Sequence, residues 1–258
     1  MDEAELEKDP SIGNVAVAAY NAMLVAAATI VAGKKNSDVT GMVRKVTDCY
    51  GVNPVTSVRM HQMKRFVIDG VKEILLREPT NEDLEAGDAK IPPCTFEQFE
   101  VYAVDVALST GDGKCRLGDM RTTIYKRNVE ANYKLKLKAA RGVLSEVDSK
   151  YPTMPFTVSY FSDEKTARLG LQECSKHGLL TPYPVLHDRK GVKVAHFKCT
   201  VLLLPSGTVR ASGLPLPEYF KTDKTPSEEI TQILEAIAAA DAKRAAKKLK
   251  KKEGKKKN

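Results

Sequence analysis

The sequence predicts a mixed α/β (α+β) fold, and three observations carry that expectation. Ala195 to Pro205 (AHFKCTVLLLP) is an almost continuous run of β-branched and apolar residues ended by proline, the pattern of a strand buried on both faces. Phe99–Ser109 alternates as a central strand does and is followed by the turn residues Thr110-Gly111-Asp112-Gly113. Ahead of both lie two stretches with helical patterning, Val15–Ala32 and the segment from Ser37 or Asp38 to Tyr50. With 258 residues, 42% hydrophobic and 29% charged, the chain has the composition of a folded protein and not of a disordered one.

In chain order, residues 1–14 form an acidic segment expected to be mobile. Val15–Ala32 is apolar and alanine-rich, with Gly33 as its stop; its length invites a membrane-spanning reading, but alanine dominates and Tyr20 and Asn21 interrupt it, so a buried helix is expected. Ser37 or Asp38 caps the next helix, whose Val39, Met42, Val43, Val46 and Tyr50 share one face and which Gly51 ends. Short strands at Val55–Met60 and Phe66–Ile68 bracket His61, and residues 77–95 read as an exposed acidic loop. Arg121–Lys126 (RTTIYK) reads as the strand returning from Phe99–Ser109, giving a hairpin. Glu130–Ser149 and Asp163–His177 are helical and belong to a helical insertion over 141–185. The core is assigned to 15–140 and 186–225, and 226–258 to a C-terminal helix that dissolves into a flexible lysine-rich tail.

The charge is unevenly placed. The whole chain carries +8, whereas residues 243–258 hold ten Lys or Arg against Glu253, a balance of +9 that leaves −1 for residues 1–242. The basicity therefore belongs to the tail. Cys49, Cys94, Cys115, Cys174 and Cys199 are odd in number and irregularly spaced, without a secretory leader, and are read as reduced intracellular thiols. No C-x-x-C pair, H-E-x-x-H helix or nucleophile elbow occurs, and Thr110–Lys114 lacks the spacing of a phosphate loop.

Lys198 is the anomaly within its strand. An ammonium there either sits near the strand's start and reaches solvent, or lies in a polar cleft at a position where chemistry could otherwise occur. Phe197, Cys199, Val201 and Leu203 point one way, and His196, Lys198, Thr200, Leu202 and Leu204 the other. His61 and Asp105 are the other candidates, each on or beside a core strand. Two such ligands do not hold a catalytic divalent ion, and on spacing alone His61 reads as a hydrogen-bonded structural histidine ahead of a ligand.

A set of motifs in order then resembles one family: Val15–Lys45, Met60–Lys64 through Val67–Gly70, Glu100–Asp105 (EVYAVD), Thr122–Arg127 (TTIYKR), Met154–Thr157 (MPFT) and Phe197–Leu203 (FKCTVLL). It is the proliferation-associated proteins, also called ErbB-receptor-binding proteins, which look like type two methionine aminopeptidases that have lost catalysis. The resemblance implies the pita-bread fold, incomplete at its N-terminus, with 141–185 as the type two insertion and about the C-terminal two-thirds of the family present. In the active relatives the metal ligands are two aspartates, a histidine and two glutamates, assisted by a further histidine. By this resemblance His61 falls on the metal histidine, Asp105 on the first glutamate and Lys198 on the second. The assisting histidine is absent around Val67–Asp69, and the two aspartates would precede Val15. No metal and no cofactor is expected, and an Asp105–Lys198 ion pair or water bridge is expected in place of metal. A partial pita-bread is also expected to expose apolar surface where the rest would pack.

Binding, not catalysis, is then the expected role. The tail cations Lys243, Arg244, Lys247, Lys248, Lys250, Lys251, Lys252, Lys255, Lys256 and Lys257 suit a phosphate backbone, or a nuclear address. A second cluster, Lys126, Arg127, Lys134, Lys136, Lys138 and Arg141, reads either as an RNA-contacting edge or as a solubilising segment. No aromatic stacking platform of the RRM type is evident, so shape and phosphate recognition is expected. The resemblance implies the ribosome and structured RNA as partners, with regulatory proteins besides, no membrane insertion, and residence in cytoplasm and nucleus with nucleolar accumulation. Two alternatives stand beside this: a residual metal-dependent methionine aminopeptidase, and a protein-recruiting scaffold or transcriptional co-regulator.

Overall fold

The computed structural model describes residues 9–85 and 90–256, except the side chains of 245 and of 247–256. Most of the acidic segment 1–14, and Lys257 of the tail, lie outside these described residues. The chain divides into two compact units, one of residues up to Met63, Asp69–Cys115 and everything from Asp188, the other of Lys64–Ile68 and Arg116–His187.

In the first unit, helix α1 (Pro10–Thr29) begins where Asp9 accepts a hydrogen bond from the Ser11 N–H at 3.1 Å and Pro10 opens the first turn. Ala18, Ala19, Ala22 and Ala26 are fully buried, so small side chains let other elements approach closely. Length and composition alone would let α1 cross a membrane, but most of it is buried in the core. Helix α2 (Asn36–Tyr50) starts one residue before the expected caps. Asp38 instead lies in its first turn and accepts the Lys35 N–H at 2.8 Å. Val39, Val43, Val46 and Tyr50 are buried, and the Tyr50 hydroxyl accepts from Asn21 of α1 at 2.8 Å.

The strands that follow are β1 (Asn53–Pro54), β2 (Arg59–Met63) and β3 (Glu73–Leu75), then the short helix α3 (Asn81–Glu85) and strand β4 (Val101–Ser109). The expected strand at Phe66–Ile68 is not formed. Phe66 has φ 64°, and Lys64 and Val67 bond each other's main chain across a tight turn in the second unit. Nor is 77–95 simply an exposed loop, because Asp83 of α3 is buried and pairs with Arg77 at 2.9 Å.

The second unit holds β5 (Arg116–Leu117), β6 (Ile124–Arg127), α4 (Lys138–Lys150), β7 (Phe156–Thr157), α5 (Glu164–Lys176), β8 (Leu180–Tyr183) and β9 (Leu186–His187). β6 lies between β7 and β8, so the expected hairpin with β4 does not exist; β4 has other partners on both edges. The first insertion helix begins at Lys138 and not at Glu130, since Leu135 is pulled into the core and the alternating lysines around it stay in irregular chain. The unit is also wider than the expected 141–185. Gly170 fixes how closely α4 and α5 pack: a Cβ there would lie 2.9 Å from the Ala139 carbonyl oxygen and 2.7 Å from Val143 Cγ2.

Back in the first unit, β10 (Val194–Leu204) and β11 (Gly207–Arg210) complete an antiparallel sheet in the order β11-β10-β4-β2-β3, with β1 beside β4. Gly113, with φ 69°, comes so near β1 that a Cβ would stand 2.3 Å from the Pro54 carbonyl oxygen; Thr110–Lys114 is therefore turn chemistry. Tyr102, Val104, Val106 and Leu108 of β4 and Cys199, Val201 and Leu203 of β10 form the core, with Phe197 packed against it. The opposite face of β10 is open, not buried as the apolar run suggested: His196 and Lys198 are exposed and Thr200 and Leu202 half-buried. Helix α6 (Glu228–Lys256) is the last described element, and its backbone stays helical over the described part of the expected flexible tail because alanine and lysine both favour helix.

Candidate functional site

The three positions singled out on the strands lie on one face of this sheet. Asp105 and Lys198 stand directly opposite each other across β4 and β10, and His61 of β2 stands opposite Ala103, two residues before Asp105 on the same face. Lys198 Nζ is 2.8 Å from Asp105 Oδ2, an ion pair. The other oxygen, Oδ1, is taken by His196 Nε2. His196 was placed on the correct strand face by the alternation, but its role was not read from the sequence; the signal was its two-residue spacing from Lys198. Burial pushes the Asp105 carboxyl up, but hydrogen bonds from His196 and Lys198 outweigh it and hold the group below the usual carboxylate range.

His61 is not drawn into this cluster. It has no hydrogen bond to Asp105 or Lys198, and its Nδ1 is buried without a partner, so it is not the hydrogen-bonded structural histidine that one reading offered. Its neighbour Arg59 pairs with Glu73 at 2.9 Å. Among the described residues, no group of three or more His, Cys, Asp or Glu side chains comes together as a metal site would require. Among the described residues, those present do not fit a two-ion centre: an ammonium occupies one oxygen of Asp105, and Glu73, which stands opposite His61 on β3, is already paired with Arg59.

A second polar network was missed in the sequence. Glu100, just before β4, accepts from Lys72 at 2.6 Å, Gln62 at 2.8 Å and the Tyr102 hydroxyl at 2.9 Å. Burial raises Glu100, and hydrogen bonds from Lys72, the Glu97 N–H and Tyr102 more than offset it, so its carboxyl stays below the ordinary range. Burial and the bond to Glu100 push the Tyr102 hydroxyl far up. This network ties β2 to β4 on the core side of the sheet, opposite the open face.

The basic cluster of the second unit divides by role. Arg127 is largely buried, bonds Asp148 at 2.8 Å and donates to the carbonyls of Asn128, Ala131 and Leu179. Arg141 donates to the carbonyls of Leu135 and Lys136. Both arginines hold loops in place. Lys134, Lys136 and Lys138 are exposed, and Lys126 is half-buried on β6. In α6, Lys243 is exposed, while Arg244 donates to the Thr208 carbonyl at 3.2 Å and lies 3.9 Å from Asp241. The side chains of Lys247, Lys248, Lys250, Lys251, Lys252, Lys255 and Lys256 are outside the described residues.

No family model matches the chain. It is 46% identical over 227 residues to ErbB-3 binding protein 1 of Solanum tuberosum, covering 86% of this chain and 57% of that protein. It is 38% identical to proliferation-associated protein A of Dictyostelium discoideum (92% and 60% covered) and 38% identical to the curved DNA-binding protein of Schizosaccharomyces pombe (86% and 58%). Weaker similarity, 30% over 181 residues, reaches methionine aminopeptidase 2-2 of Colletotrichum graminicola, covering 66% of this chain and 38% of that protein. Among solved structures, a thermophilic Arx1 superposes with a TM-score of 0.74 at 26% identity, covering 88% of this chain and 66% of that one. The architecture is thus that of the pita-bread proteins, of which the chain holds a part. It spans between 54% and 60% of the ErbB-3 binding, proliferation-associated and curved DNA-binding proteins that it matches, less than the two-thirds expected. Over that span, the chain is a homologue of the ErbB-3 binding and proliferation-associated proteins.

Proposed function

We propose that this chain is a non-catalytic, ribosome- and structured-RNA-associated regulator of ribosome biogenesis, translation and growth. The observation that carries the non-catalytic part is the Lys198 ammonium 2.8 Å from Asp105. By the family resemblance these two residues, with His61, are vestiges of a metal site. A cation fixed there repels the divalent ions that aminopeptidase chemistry needs. The residual aminopeptidase reading has no comparable observation in its favour.

For the binding part, support comes from the ten basic residues after Ala242 and from a relative whose name describes a DNA-binding protein. The basic residues of α6 all follow Ala242, and each one that meets a phosphate releases a counterion without reading sequence. Exposed Lys134, Lys136 and Lys138 offer a second contact, whereas Arg127 and Arg141 are assigned structural roles. Residence in the cytoplasm and nucleus, with nucleolar accumulation, follows from the same reading.

The test is binding to purified ribosomes across a salt series, for the full chain and for a chain ending at Asp241. Engagement of half of the ten tail cations would steepen the slope of log K against log salt by about 4–5. Loss of both affinity and slope on shortening supports the proposal. Equal binding by the two chains overturns the tail's part in it and favours recruitment through protein–protein contact.

A further inference from the structure

We propose that the tight turn Lys64–Val67 is a contact for RNA, in which the Phe66 ring stacks on an unpaired base while Lys64 and Arg65 meet the flanking phosphates; the proposal rests on the RNA-associated reading above. The turn is complete in itself. Lys64 and Val67 bond each other's main chain in both directions, at 2.9 and 3.0 Å, so its tip is not a sheet edge or helix face that awaits a neighbour. Lys64, Arg65, Phe66 and Val67 are all exposed, Phe66 by 64%. Phe66 has φ 64°, the left-handed region that glycine or asparagine adopts readily at this position of a turn and that phenylalanine adopts only with strain. Nothing in the packing offsets that strain, because the ring joins neither hydrophobic core. A strained, exposed aromatic residue at a turn tip gives up stability for contact with something outside the fold.

The chemistry beside the ring selects the partner. The Arg65 guanidinium carbon stands 4.9 Å from the centre of the Phe66 ring, so a planar cation covers one face. Among the described residues no other ring lies against Phe66, which leaves its remaining surface to a second planar group. Neither Lys64 nor Arg65 pairs with a carboxylate among the described residues, and Asp69, the nearest acid in the sequence, pairs with neither. Two cations without a counter-charge beside an aromatic plane match a nucleotide, whose base offers a π face and whose phosphates offer the charge. A base inside a duplex is already stacked, so the ligand is an unpaired base in a loop, bulge or single strand of RNA. A turn that enters a membrane would hold its cation away from the apolar tip, at the headgroup level, whereas here the guanidinium lies on the ring. One ring is no extended platform, and most of the affinity still comes from phosphate contacts.

The experiment titrates the full chain with an RNA stem closed by a loop of unpaired adenines, one of them replaced by 2-aminopurine, and with the same stem as a blunt duplex. Phe66→Gly removes the ring and relieves the left-handed strain. The variant should melt no lower than the parent yet bind the loop RNA about fivefold or more weakly, the scale of one lost base–aromatic stack. Its salt slope should match the parent's, because the ring carries no charge, and the duplex should lose less than about twofold. Phe66→Tyr should retain loop binding, and Lys64→Gln should lower the slope by about 0.7. The 2-aminopurine fluorescence should be quenched by the parent and not by Phe66→Gly. Loop binding undiminished by Phe66→Gly, or a duplex weakened equally, overturns the proposal and leaves the RNA-associated reading standing; failure of the parent to bind either RNA overturns both. Capture by phosphatidylserine vesicles that Phe66→Gly abolishes, with loop binding unchanged, refutes the RNA contact in favour of a membrane surface.

Discussion

Replacing Asp105 by asparagine tests the reading of the open face most directly. The carboxylate side chain is only 18% exposed and receives both Lys198 and His196, which are 63% and 42% exposed. Hydrogen bonds to a charged group contribute about 1.5–3 kcal/mol when buried. Solvent around the two donors screens this toward the scale of surface pairs. Asp105→Asn should therefore cost about 1–2 kcal/mol near neutral pH, or about 2–8 °C in melting temperature if the first unit melts as one transition. The pH dependence carries the sign. The folded pKa lies below the unfolded one, so the contribution is fully present above the ordinary carboxylate range and is lost as pH falls through the folded value. Urea titrations of the parent and variant over an acid series would show the gap in stability closing at the acid end. Lys198→Met should cost less than Asp105→Asn, because it removes an exposed donor and leaves Asp105 with His196; the double variant should show coupling of about 0.5–1 kcal/mol. A gap independent of pH, or zero coupling, would refute the ion pair as the device that holds this position.

Three further outcomes follow from the packing. Gly170→Ala forces a methyl against the Ala139 carbonyl and Val143, and should destabilise the second unit by about 1–3 kcal/mol, seen as a lowered melting transition or faster hydrogen exchange in α4 and α5. Arg127→Gln should also loosen that unit, through the carbonyls of Asn128 and Leu179, while Lys134→Gln with Lys136→Gln leaves its stability unchanged; nucleic-acid titration and thermal melts together separate the two effects. Burial pushes the thiols of Cys174 and Cys199 up to about 11, so in the folded chain both should resist a thiol reagent while partly exposed Cys49 and Cys115 react. Mass mapping of the labelled cysteines checks this, and rapid labelling of Cys174 would contradict the packing of α4 against α5.

Local pattern carried the sequence reading where one element decided its own fate. The alanine-rich run 15–32 gave α1, the spacing of Val39, Val43, Val46 and Tyr50 gave α2, and Phe99–Ser109 gave β4 to within two residues. The reading lost ground where distant partners decide. Arg121–Lys126 follows β4 in sequence across a good turn, yet β6 pairs with the distant segments Phe156–Thr157 and Leu180–Tyr183. No local signal marks such pairings. Glu130–Leu137 has helical composition, but burial of Leu135 and the bonds from Arg127 and Arg141 to nearby carbonyls fix it as irregular chain. The same arginines looked like half of an RNA-binding edge because a sequence shows charge and not the carbonyls around it.

The strand bearing Lys198 shows why the site was half legible. A continuous apolar run on β10 suggested two buried faces, which made Lys198 an anomaly needing an explanation. The structure removes the anomaly in two steps: the face is open, and Asp105 lies directly across the ladder. Register was the missing quantity, since a one-residue slip of β10 would have turned Lys198 to the core face and left Asp105 on the other. The slip is prevented by Phe197, Cys199, Val201 and Leu203 on the other face, which bury against α1 and the rest of the core. The apolar half of the strand therefore sets the geometry of the polar half. A change such as Cys199→Asp would disturb the Asp105–Lys198 pair through register, without touching either residue.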